Sequence, residues 1–516
     1  MHVTSPPPAQ IDVAEAPVFA GDTAAASGGQ VTPLVSVPPL TRQSTQTLTE
    51  QLAERFASRI RDRLLAPGAR LPSVRQCAAQ HGLSPSTVVA AYDLLLAQGL
   101  VQAQRNRGYF VRQRGGAVGQ GRSAQGSAGA AIADTRMGLS VGAPVNAAAL
   151  IRGMFHPPGE RPQPGMGAFP PDWMETNFLQ AAVRRVTAGK SLDDLSLHYG
   201  EPMGDAQLRR VLSSRLQGLG LPVEASQIIT TVGATQALDI VSRTLLKAGD
   251  CVMVEEPGWA VEFARLNAQG MRILPVPRGP AGPDLAVMAR YCEEHAPKLF
   301  VSVSVLHNPT GYGLSPASAH RVLQLAQAHD FHVVEDDSYC HIAPEHATRM
   351  SVLDGLQRTI YVSGFAKILA PNWRVGYLAA PTAWVERLLD TKLLTTLTTP
   401  SLLERALALC IEQGQLRRHA ERTRLRLDAA RCRSVKLALA AGCRFEAEPA
   451  GLFGWVDTGV DTEALAQRML DEGYLIAPGA LFHAARAPST LMRINFATTQ
   501  EPAFWRVFTR LVSAQR

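Results

Sequence analysis

Short apolar runs alternate with longer stretches of helical spacing from about residue 178 onward. The runs are rich in β-branched residues and mostly continuous, which is typical of strands that are covered on both faces. They are IITTV (228–232), CVMVEE (251–256), LFVSVSV (299–305), FHVVED (331–336), TIYVSGF (359–365) and VGYLAA (375–380). Helical stretches such as ATQALDIVSRTLLKAG and SAHRVLQLAQAHD separate them. The pattern predicts an α/β fold with a mainly parallel, helix-covered sheet.

A second pattern occupies residues 45–114. The stretch from Leu71 to Leu100 predicts two helices joined by a tight turn, with Ser84 as the cap of the second helix. The hairpin sequence VQAQRNRGYFVR follows, with Arg105 and Arg107 at its tip and Gly108 permitting the turn. Two helices followed by a basic hairpin predict a winged helix-turn-helix domain.

Composition divides the chain further. Residues 1–44 are rich in Pro, Ala, Gly and Ser without periodicity, which predicts a disordered tail. Residues 115–160 begin with GGAVGQGRSAQGSAGAA, which is typical of a flexible linker. The remaining chain, 161–516, then forms the large domain, and its last part, from about 400 to 516, is predicted to be a smaller α+β subdomain.

Several classes of protein are excluded by what the chain lacks. No apolar run is long enough to span a membrane, and no secretory signal precedes the first basic residue, Arg42. The seven cysteines are scattered and form no CxxC pair, so we expect reduced thiols and neither disulfides nor a metal site. A cytoplasmic protein is the expectation.

The net charge of +7 is concentrated in one segment. Between Gln46 and Arg114 there are ten arginines, no lysine and four acidic residues, a net charge of +6. Such a localised positive charge is the electrostatic footprint of nucleic-acid binding. Ser86 and Thr87 begin the second predicted helix and carry hydroxyls able to reach phosphates or base edges.

The segment LLAPGARLPSVRQCAAQHGLSPSTVVAAYDLLLAQGLV, with GYFV in the hairpin, resembles the GntR family of bacterial regulators. The resemblance implies that Arg75, Ser86 and Thr87 contact double-stranded operator DNA. The sequence departs from the family pattern at Pro85, where relatives often have arginine, and at Val89, where some relatives also do. Fewer side chains then read bases, and we expect the hairpin and phosphate contacts to supply more of the affinity.

Lys367 follows the predicted strand TIYVSGF. A lysine at the end of a buried strand is costly unless it is paired or used covalently. Pyridoxal phosphate uses such a lysine, with which it forms a Schiff base. The cofactor also needs an acid under its pyridine nitrogen, an anion site for its phosphate and a flat group over its ring.

The other parts of such a site follow other predicted strands. Asp336 in VVEDDSY can keep the pyridine nitrogen protonated, and Tyr339 can hydrogen-bond the ring hydroxyl. Gly233 precedes a helix that begins near Ala234 and Thr235, whose free N–H groups and dipole favour a phosphate. Arg374 can supply the counter-charge for the phosphate. Asn308 can be a second hydrogen-bond partner of the ring oxygen, and Trp259 can stack on the ring.

The order VGATQAL, EEPGW, HNPTG, EDDSY, SGFAK and MRINFA resembles the fold-type I aminotransferases from about residue 165 to 516. The resemblance implies that Lys367 is the Schiff-base lysine and Asp336 the pyridinium partner. It also implies that Arg493 in MRINFA binds a substrate or effector carboxylate in a fork. Tyr199 in HYGEPMGD matches a tyrosine that reaches the phosphate of the neighbouring subunit, so a homodimer is expected. Gly364 and Ala366 stand where relatives often have serine or threonine, which predicts looser phosphate binding.

A GntR-like winged helix, a linker and an aminotransferase-like domain in this order resemble the MocR subfamily. That resemblance implies a transcriptional regulator whose large domain senses pyridoxal phosphate, a small amino-compound effector, or both. One alternative is a working aminotransferase with an accessory DNA-binding domain. Another is a GntR-like repressor whose large domain serves only for dimerisation and is indifferent to the cofactor.

Overall fold

The computed structural model describes residues 40–41, 45–61, 65, 70–104, 107–112, 163–175, 177–188 and 191–516. The predicted tail, residues 1–44, lies outside the described residues apart from 40 and 41. The predicted linker, 115–160, lies outside them entirely. No helix in the described ranges combines the length and hydropathy needed to cross a membrane.

The amino-terminal domain is a winged helix-turn-helix. Its elements are α1 (Leu48–Arg61), α2 (Val74–His81), α3 (Pro85–Ala97), β1 (Val101–Gln104) and β2 (Gly108–Val111). Gly82 ends α2 in the left-handed conformation at φ +63°, which glycine adopts without a Cβ penalty. The two strands pair antiparallel. Phe56 of α1, Cys77 of α2 and Tyr92 of α3 are almost fully buried and join the three helices into one core.

The large domain is built on an eight-stranded sheet. Its strands are β3 (Ile228–Thr231), β4 (Cys251–Glu256), β5 (Arg272–Gly279), β6 (Gly282–Pro283), β7 (Leu299–Ser302), β8 (His332–Asp336), β9 (Thr359–Gly364) and β10 (Gly376–Ala379). They lie in the order β3-β10-β9-β8-β7-β4-β5-β6. The central neighbours β9, β8, β7, β4 and β5 are all parallel, whereas β10 runs antiparallel between β3 and β9. The predicted mainly parallel sheet is confirmed.

Helices cover both faces of this sheet. They are α4 (Asn177–Val186), α5 (Ser191–Ser196), α6 (Ala206–Gly218), α7 (Ala234–Leu245), α8 (Ala260–Ala268), α9 (Leu285–His295), α10 (Pro316–Ala328), α11 (Met350–Asp354) and α12 (Thr382–Thr396). Alternate side chains of β4 enter different cores, Val252 and Val254 on one face, Cys251 and Met253 on the other. Because both faces are buried, the strands read as continuous apolar runs.

The carboxy-terminal part is a smaller α+β unit. Its elements are α13 (Ser401–Glu412), α14 (Gln415–Ala440), β11 (Arg444–Phe445), β12 (Phe453–Asp457), α15 (Thr462–Asp471), β13 (Ala477–Pro478), β14 (Leu491–Asn495) and α16 (Pro502–Ser513). The four strands form an antiparallel sheet in the order β11-β12-β14-β13. Its residue Arg493, in β14, faces the carboxyl ends of the large sheet, where its side chain bonds Asn308.

Candidate functional site

Lys367 lies three residues after β9, in the loop that leads to β10. Its side chain is half-buried, and its Nζ donates a 2.8 Å hydrogen bond to the Gly167 carbonyl oxygen. Desolvation, and then the positive charge of Arg493, lower the pKa of the Lys367 amine to about 8, although Asp336 opposes the shift. The amine is therefore partly neutral, and so nucleophilic, near neutral pH.

Asp336 is the last residue of β8, the strand beside β9. Ser338 donates two hydrogen bonds to its Oδ1, from the backbone nitrogen at 3.0 Å and from the hydroxyl at 2.5 Å. Burial raises the pKa of Asp336 to about 6, against these hydrogen bonds. The carboxyl group is mainly ionised at neutral pH, and a neighbouring cation would lower its raised pKa.

A small cavity lies against Asp336. Trp259, at the start of α8, lines it together with Glu255 and His307. Trp259 thus shares a cavity with the carboxylate predicted to lie under the ring. Glu255 also accepts hydrogen bonds from Arg278 and Ser302 in a buried network, so its charge is compensated.

The amino terminus of α7 and Arg374 form an anion cradle. Gly233 has φ +79° and α7 begins at Ala234, followed by the exposed Thr235. Arg374 Nη2 donates a 3.1 Å hydrogen bond to the Val232 carbonyl oxygen, which holds the guanidinium at this helix end. A Cβ on Gly233 would lie only 2.6 Å from Arg374 Nη2. The unpaired first N–H groups of a helix and an arginine together suit a phosphate.

Gly364 is at a close approach between strands. A Cβ on this residue would lie 3.3 Å from the Val375 carbonyl oxygen and 3.4 Å from the Ala234 nitrogen. A side chain at 364 would therefore touch the first residue of the cradle helix at ordinary contact distance and the Val375 oxygen slightly closer. The structure gives no reason for the alanine at 366.

Arg493 forms the opposite wall of the site. Its Nη1 donates to Asn308 Oδ1 at 2.7 Å and its Nη2 to the Gly165 carbonyl oxygen at 2.6 Å. The guanidinium carbon lies 4.4 Å from the centre of the Phe453 ring. Within the described residues, no acidic side chain pairs with Arg493, and its buried Nε has no hydrogen-bond partner.

Burial lowers the pKa of Arg493 to about 10, with Tyr339 opposing the shift. Burial also raises the pKa of Tyr339, whose ring packs edge-on against Phe453. A buried guanidinium with neutral partners and one unused donor is costly unless an anion joins it. The wall therefore suits a carboxylate.

One segment of the site was not predicted. It is residues 163–168, here called the strap, in which the carbonyl oxygens of Gly165 and Gly167 accept from Arg493 and Lys367. Asn495 Nδ2 holds the strap by donating to the carbonyl oxygens of Met166 at 2.9 Å and Ala168 at 2.7 Å. The two glycines were the available signal, since a Cβ on Gly165 would lie 2.7 Å from the Ile476 carbonyl carbon.

Tyr199 lies away from this cluster. Its side chain is 86% exposed, so it is not part of the site formed by its own chain. The structure thus brings together Lys367, Asp336, Tyr339, Asn308, Trp259 and Arg493 at the carboxyl ends of the strands, with Arg374, Ala234 and Thr235 at the adjoining cradle. Open α/β sheets bind ligands at this edge.

The predicted DNA-contacting residues lie on the two helices of the motif and on the hairpin. Ser84 caps α3 by accepting from the Thr87 nitrogen at 3.1 Å, and its hydroxyl lies 2.8 Å from that of Ser86. Arg75 is exposed in the first turn of α2. Arg75 thus lies at the amino-terminal end of α2, and Ser84, Ser86 and Thr87 lie at that of α3.

The hairpin carries Arg107, which is exposed, and Gly108 turns it at φ +105°. The Arg107 guanidinium lies 6.0 Å from the centre of the Phe110 ring. Arg105, the other predicted tip residue, lies outside the described residues.

Two family models match the chain. The model of aminotransferase class I and II matches residues 172–511, and that of the bacterial regulatory proteins of the gntR family matches residues 48–111. The first match covers the sheet and the whole site, and the second covers the winged helix.

Relatives named as regulators are similar to the chain over most of its length. The uncharacterized HTH-type transcriptional regulator YisV of Bacillus subtilis is 24% identical over 89% of this chain and 94% of its own length. The probable rhizopine catabolism regulatory protein MocR of Rhizobium meliloti is 29% identical over 75% of this chain and 76% of its own.

The large domain is similar to a solved aminotransferase. The α-aminoadipate aminotransferase LysN of Thermus thermophilus, in complex with N-(5'-phosphopyridoxyl)-L-leucine, matches with a TM-score of 0.62 and 25% identity, over 68% of this chain and 92% of that one. The chain therefore belongs to the aminotransferase class I and II family, joined to a gntR-family domain in the manner of MocR-type transcriptional regulators.

Proposed function

We propose that this chain is a DNA-binding transcriptional regulator that holds pyridoxal phosphate at Lys367. Its large domain responds to the cofactor, to an amino compound with a carboxylate, or to both. The observation that carries the proposal is the meeting of a lysine with lowered pKa, a buried carboxylate and an uncompensated arginine at one sheet edge. The same chain carries a winged helix.

The residues present fit the cofactor. Gly233 leaves space beside Arg374 that a Cβ would fill, and the α7 amino terminus faces the same place. Asp336 offers a buried carboxylate in the cavity that Trp259 lines. When bound, pyridoxal phosphate supplies an aldehyde for amines and a ring that withdraws electrons. Lys367 provides the attaching amine, and Asp336 holds a proton at the ring nitrogen.

Arg493 and Asn308 select the effector. Arg493 keeps three N–H groups beyond those used for Asn308 Oδ1 and the Gly165 carbonyl oxygen, among them the unpaired Nε. A carboxylate would accept from these in a fork and compensate the buried charge. Asn308 is left with its amide N–H groups to donate to a ring oxygen.

The DNA partner is proposed on charge and geometry. Arg75 in α2 and Arg107 in the hairpin are exposed, and α3 begins with the hydroxyls of Ser86 and Thr87. Arginine and hydroxyl contacts to phosphates position such domains on the duplex. A homodimer that brings the exposed Tyr199 to a partner's cradle would present two winged helices to a two-fold symmetric operator.

Trapping the attached cofactor tests the proposal. Protein incubated with pyridoxal phosphate is reduced with borohydride, digested and analysed by mass spectrometry for the phosphopyridoxyl lysine. We expect the label on Lys367 and not on Lys392, which is also buried with its pKa lowered to about 8 but bonds the Pro202 carbonyl oxygen away from the cradle. Equal labelling of both, or none on Lys367, would overturn the proposal.

Turnover is a second candidate, because Lys367, Asp336 and Arg493 are also the set that transamination uses. Release of a keto acid from an amino acid, measured over many catalytic cycles, would support it. A single stoichiometric conversion of the bound cofactor would support the sensor instead.

A further inference from the structure

The strap is bonded to the two side chains that ligands would contact, Arg493 and Lys367. The Gly165 carbonyl oxygen accepts from Arg493 Nη2 at 2.6 Å, and the Gly167 carbonyl oxygen accepts from Lys367 Nζ at 2.8 Å. A neutral carbonyl is a weaker acceptor for a guanidinium than a carboxylate is. A carboxylate arriving at Arg493 therefore changes the strength with which the guanidinium holds the strap.

The other edge of the strap is paired with the small domain. The Gly165 nitrogen donates to the Leu475 carbonyl oxygen at 2.7 Å, and the Leu475 nitrogen donates to Gln163 Oε1 at 3.1 Å. The two segments are packed so closely that a Cβ on Gly165 would lie 2.9 Å from the same Leu475 oxygen. A displacement of the strap at Gly165 thus moves or releases residue 475.

Residue 475 lies close in sequence to the contact with the DNA-binding domain. Asp471, the last residue of α15, forms an ion pair with Arg59 of α1 in the winged helix. The Arg59 side chain is only 7% exposed. Desolvation lowers the pKa of the nearby Arg55 and His81, and the charge of Asp471 opposes both shifts, so the carboxylate faces this side of the winged helix.

We propose that the strap transmits occupancy of the effector site to the DNA-binding domain. The inference rests on the proposed function. An effector carboxylate on Arg493 weakens the bond to Gly165, loosens the pairing of the strap with Leu475, and so alters the turn that positions Asp471 against Arg59. The winged helix is then held differently in the two ligand states, which is the differential interaction that regulation requires.

Two matched ligands test the first step. N-(5'-phosphopyridoxyl)-L-leucine carries the carboxylate, and its decarboxylated counterpart, phosphopyridoxyl-3-methylbutylamine, differs only in lacking it. Hydrogen exchange of the strap amides is measured by mass spectrometry on the full chain with each ligand at saturation. We expect the first ligand to speed exchange of the strap by about tenfold over the second.

A variant tests the second step. Asp471→Asn removes the charge that holds Arg59, while Asp457→Asn removes a surface pair with Arg444 in the same domain and serves as the control. Anisotropy with DNA from upstream of the gene gives the affinity with each ligand. In Asp471→Asn we expect both ligands to give the same DNA affinity although the carboxylate still speeds strap exchange. Asp457→Asn should behave as wild type.

The outcomes separate this inference from the proposed function. Equal strap exchange with both ligands, or a full ligand response in Asp471→Asn, would overturn the inference and leave the proposed function standing. Failure of the wild-type chain to bind either ligand would overturn the proposed function and the inference with it. Thermal unfolding of both variants shows whether an altered response reflects loss of the fold.

Discussion

Arg493 donates a 2.7 Å hydrogen bond to the side-chain oxygen of Asn308, and this bond joins the small domain to the large one across the site. Arg493 lies in β14, and Asn308 follows β7. The bond fixes the orientation of the Asn308 amide, because its oxygen is occupied by the guanidinium. The residue that would contact the cofactor ring is thus positioned by the residue that would bind the effector carboxylate.

Replacing Arg493 by glutamine should remove the selection for a carboxylate. We expect Arg493→Gln to weaken binding of N-(5'-phosphopyridoxyl)-L-leucine by about 10- to 100-fold, since a hydrogen bond to a charged group contributes about 1.5–3 kcal/mol. Binding of the decarboxylated counterpart should change little, and calorimetry can compare the two. An equal loss for both ligands would mean that Arg493 only maintains the fold of the site.

Attachment of pyridoxal phosphate should depend on pH through Lys367. Only the neutral amine attacks an aldehyde, and a pKa of about 8 leaves about one amine in ten neutral at pH 7, against about one in three thousand for an ordinary lysine. The attachment rate should therefore rise about tenfold per pH unit below pH 7 and level off above about pH 8, as followed by absorbance.

The direction of the Lys367 shift can be tested with the same variant. The charge of Arg493 lowers the pKa of Lys367, so Arg493→Gln should raise it and move the midpoint of the rate profile to higher pH. A midpoint that stays in place, or falls, would contradict this electrostatic coupling.

Gly233 should be required for the phosphate cradle. In Gly233→Ala the new Cβ would lie 2.6 Å from Arg374 Nη2 and displace the guanidinium. Gly249→Ala is the matched control, because Gly249 also has a positive φ, +94°, but no atom lies within 4 Å of its added Cβ. Both variants should lose about 1 kcal/mol of stability from backbone strain. Only Gly233→Ala should bind pyridoxal phosphate at least about tenfold more weakly, and equal affinities would contradict the cradle.

The strand-end residues could be predicted from the sequence because each follows a recognisable apolar run. Lys367, Asp336 and Trp259 are unusual residue types at such positions, and parallel strands bring their carboxyl ends to one edge. The fold prediction followed from the same runs and is confirmed. The apolar runs do not show which side chains come within bonding distance of each other. The bond between Arg493 and Asn308 was therefore found only in the structure.

The strap and the Arg59–Asp471 pair could not be predicted, for two different reasons. The strap acts through backbone carbonyl oxygens, which every residue type carries, so its residue types do not report the contacts. Arg59 and Asp471 are ordinary charged residues far apart in the chain. Arg59 had been counted in the positive charge facing nucleic acid, whereas the structure buries it against the small domain.

Arg107 should contribute to DNA affinity without selecting sequence. If it contacts a phosphate, Arg107→Ala should weaken binding to specific and unrelated duplexes alike and reduce the slope of log affinity against log salt by about 1. Arg417→Ala, which removes an exposed arginine from α14, is the control with the same change of charge. A loss confined to the specific duplex would show instead that Arg107 reads a base.

Binding to DNA from upstream of the gene tests the central proposal most directly. Anisotropy titrations compare the wild-type chain without ligand, with pyridoxal phosphate and with N-(5'-phosphopyridoxyl)-L-leucine. They also compare Lys367→Ala with and without pyridoxal phosphate. We expect at least one of the two ligands to change the wild-type affinity by about 5- to 150-fold, and any effect of pyridoxal phosphate to be lost in Lys367→Ala. Specific binding with the same affinity in all three wild-type states would contradict a ligand-sensing regulator.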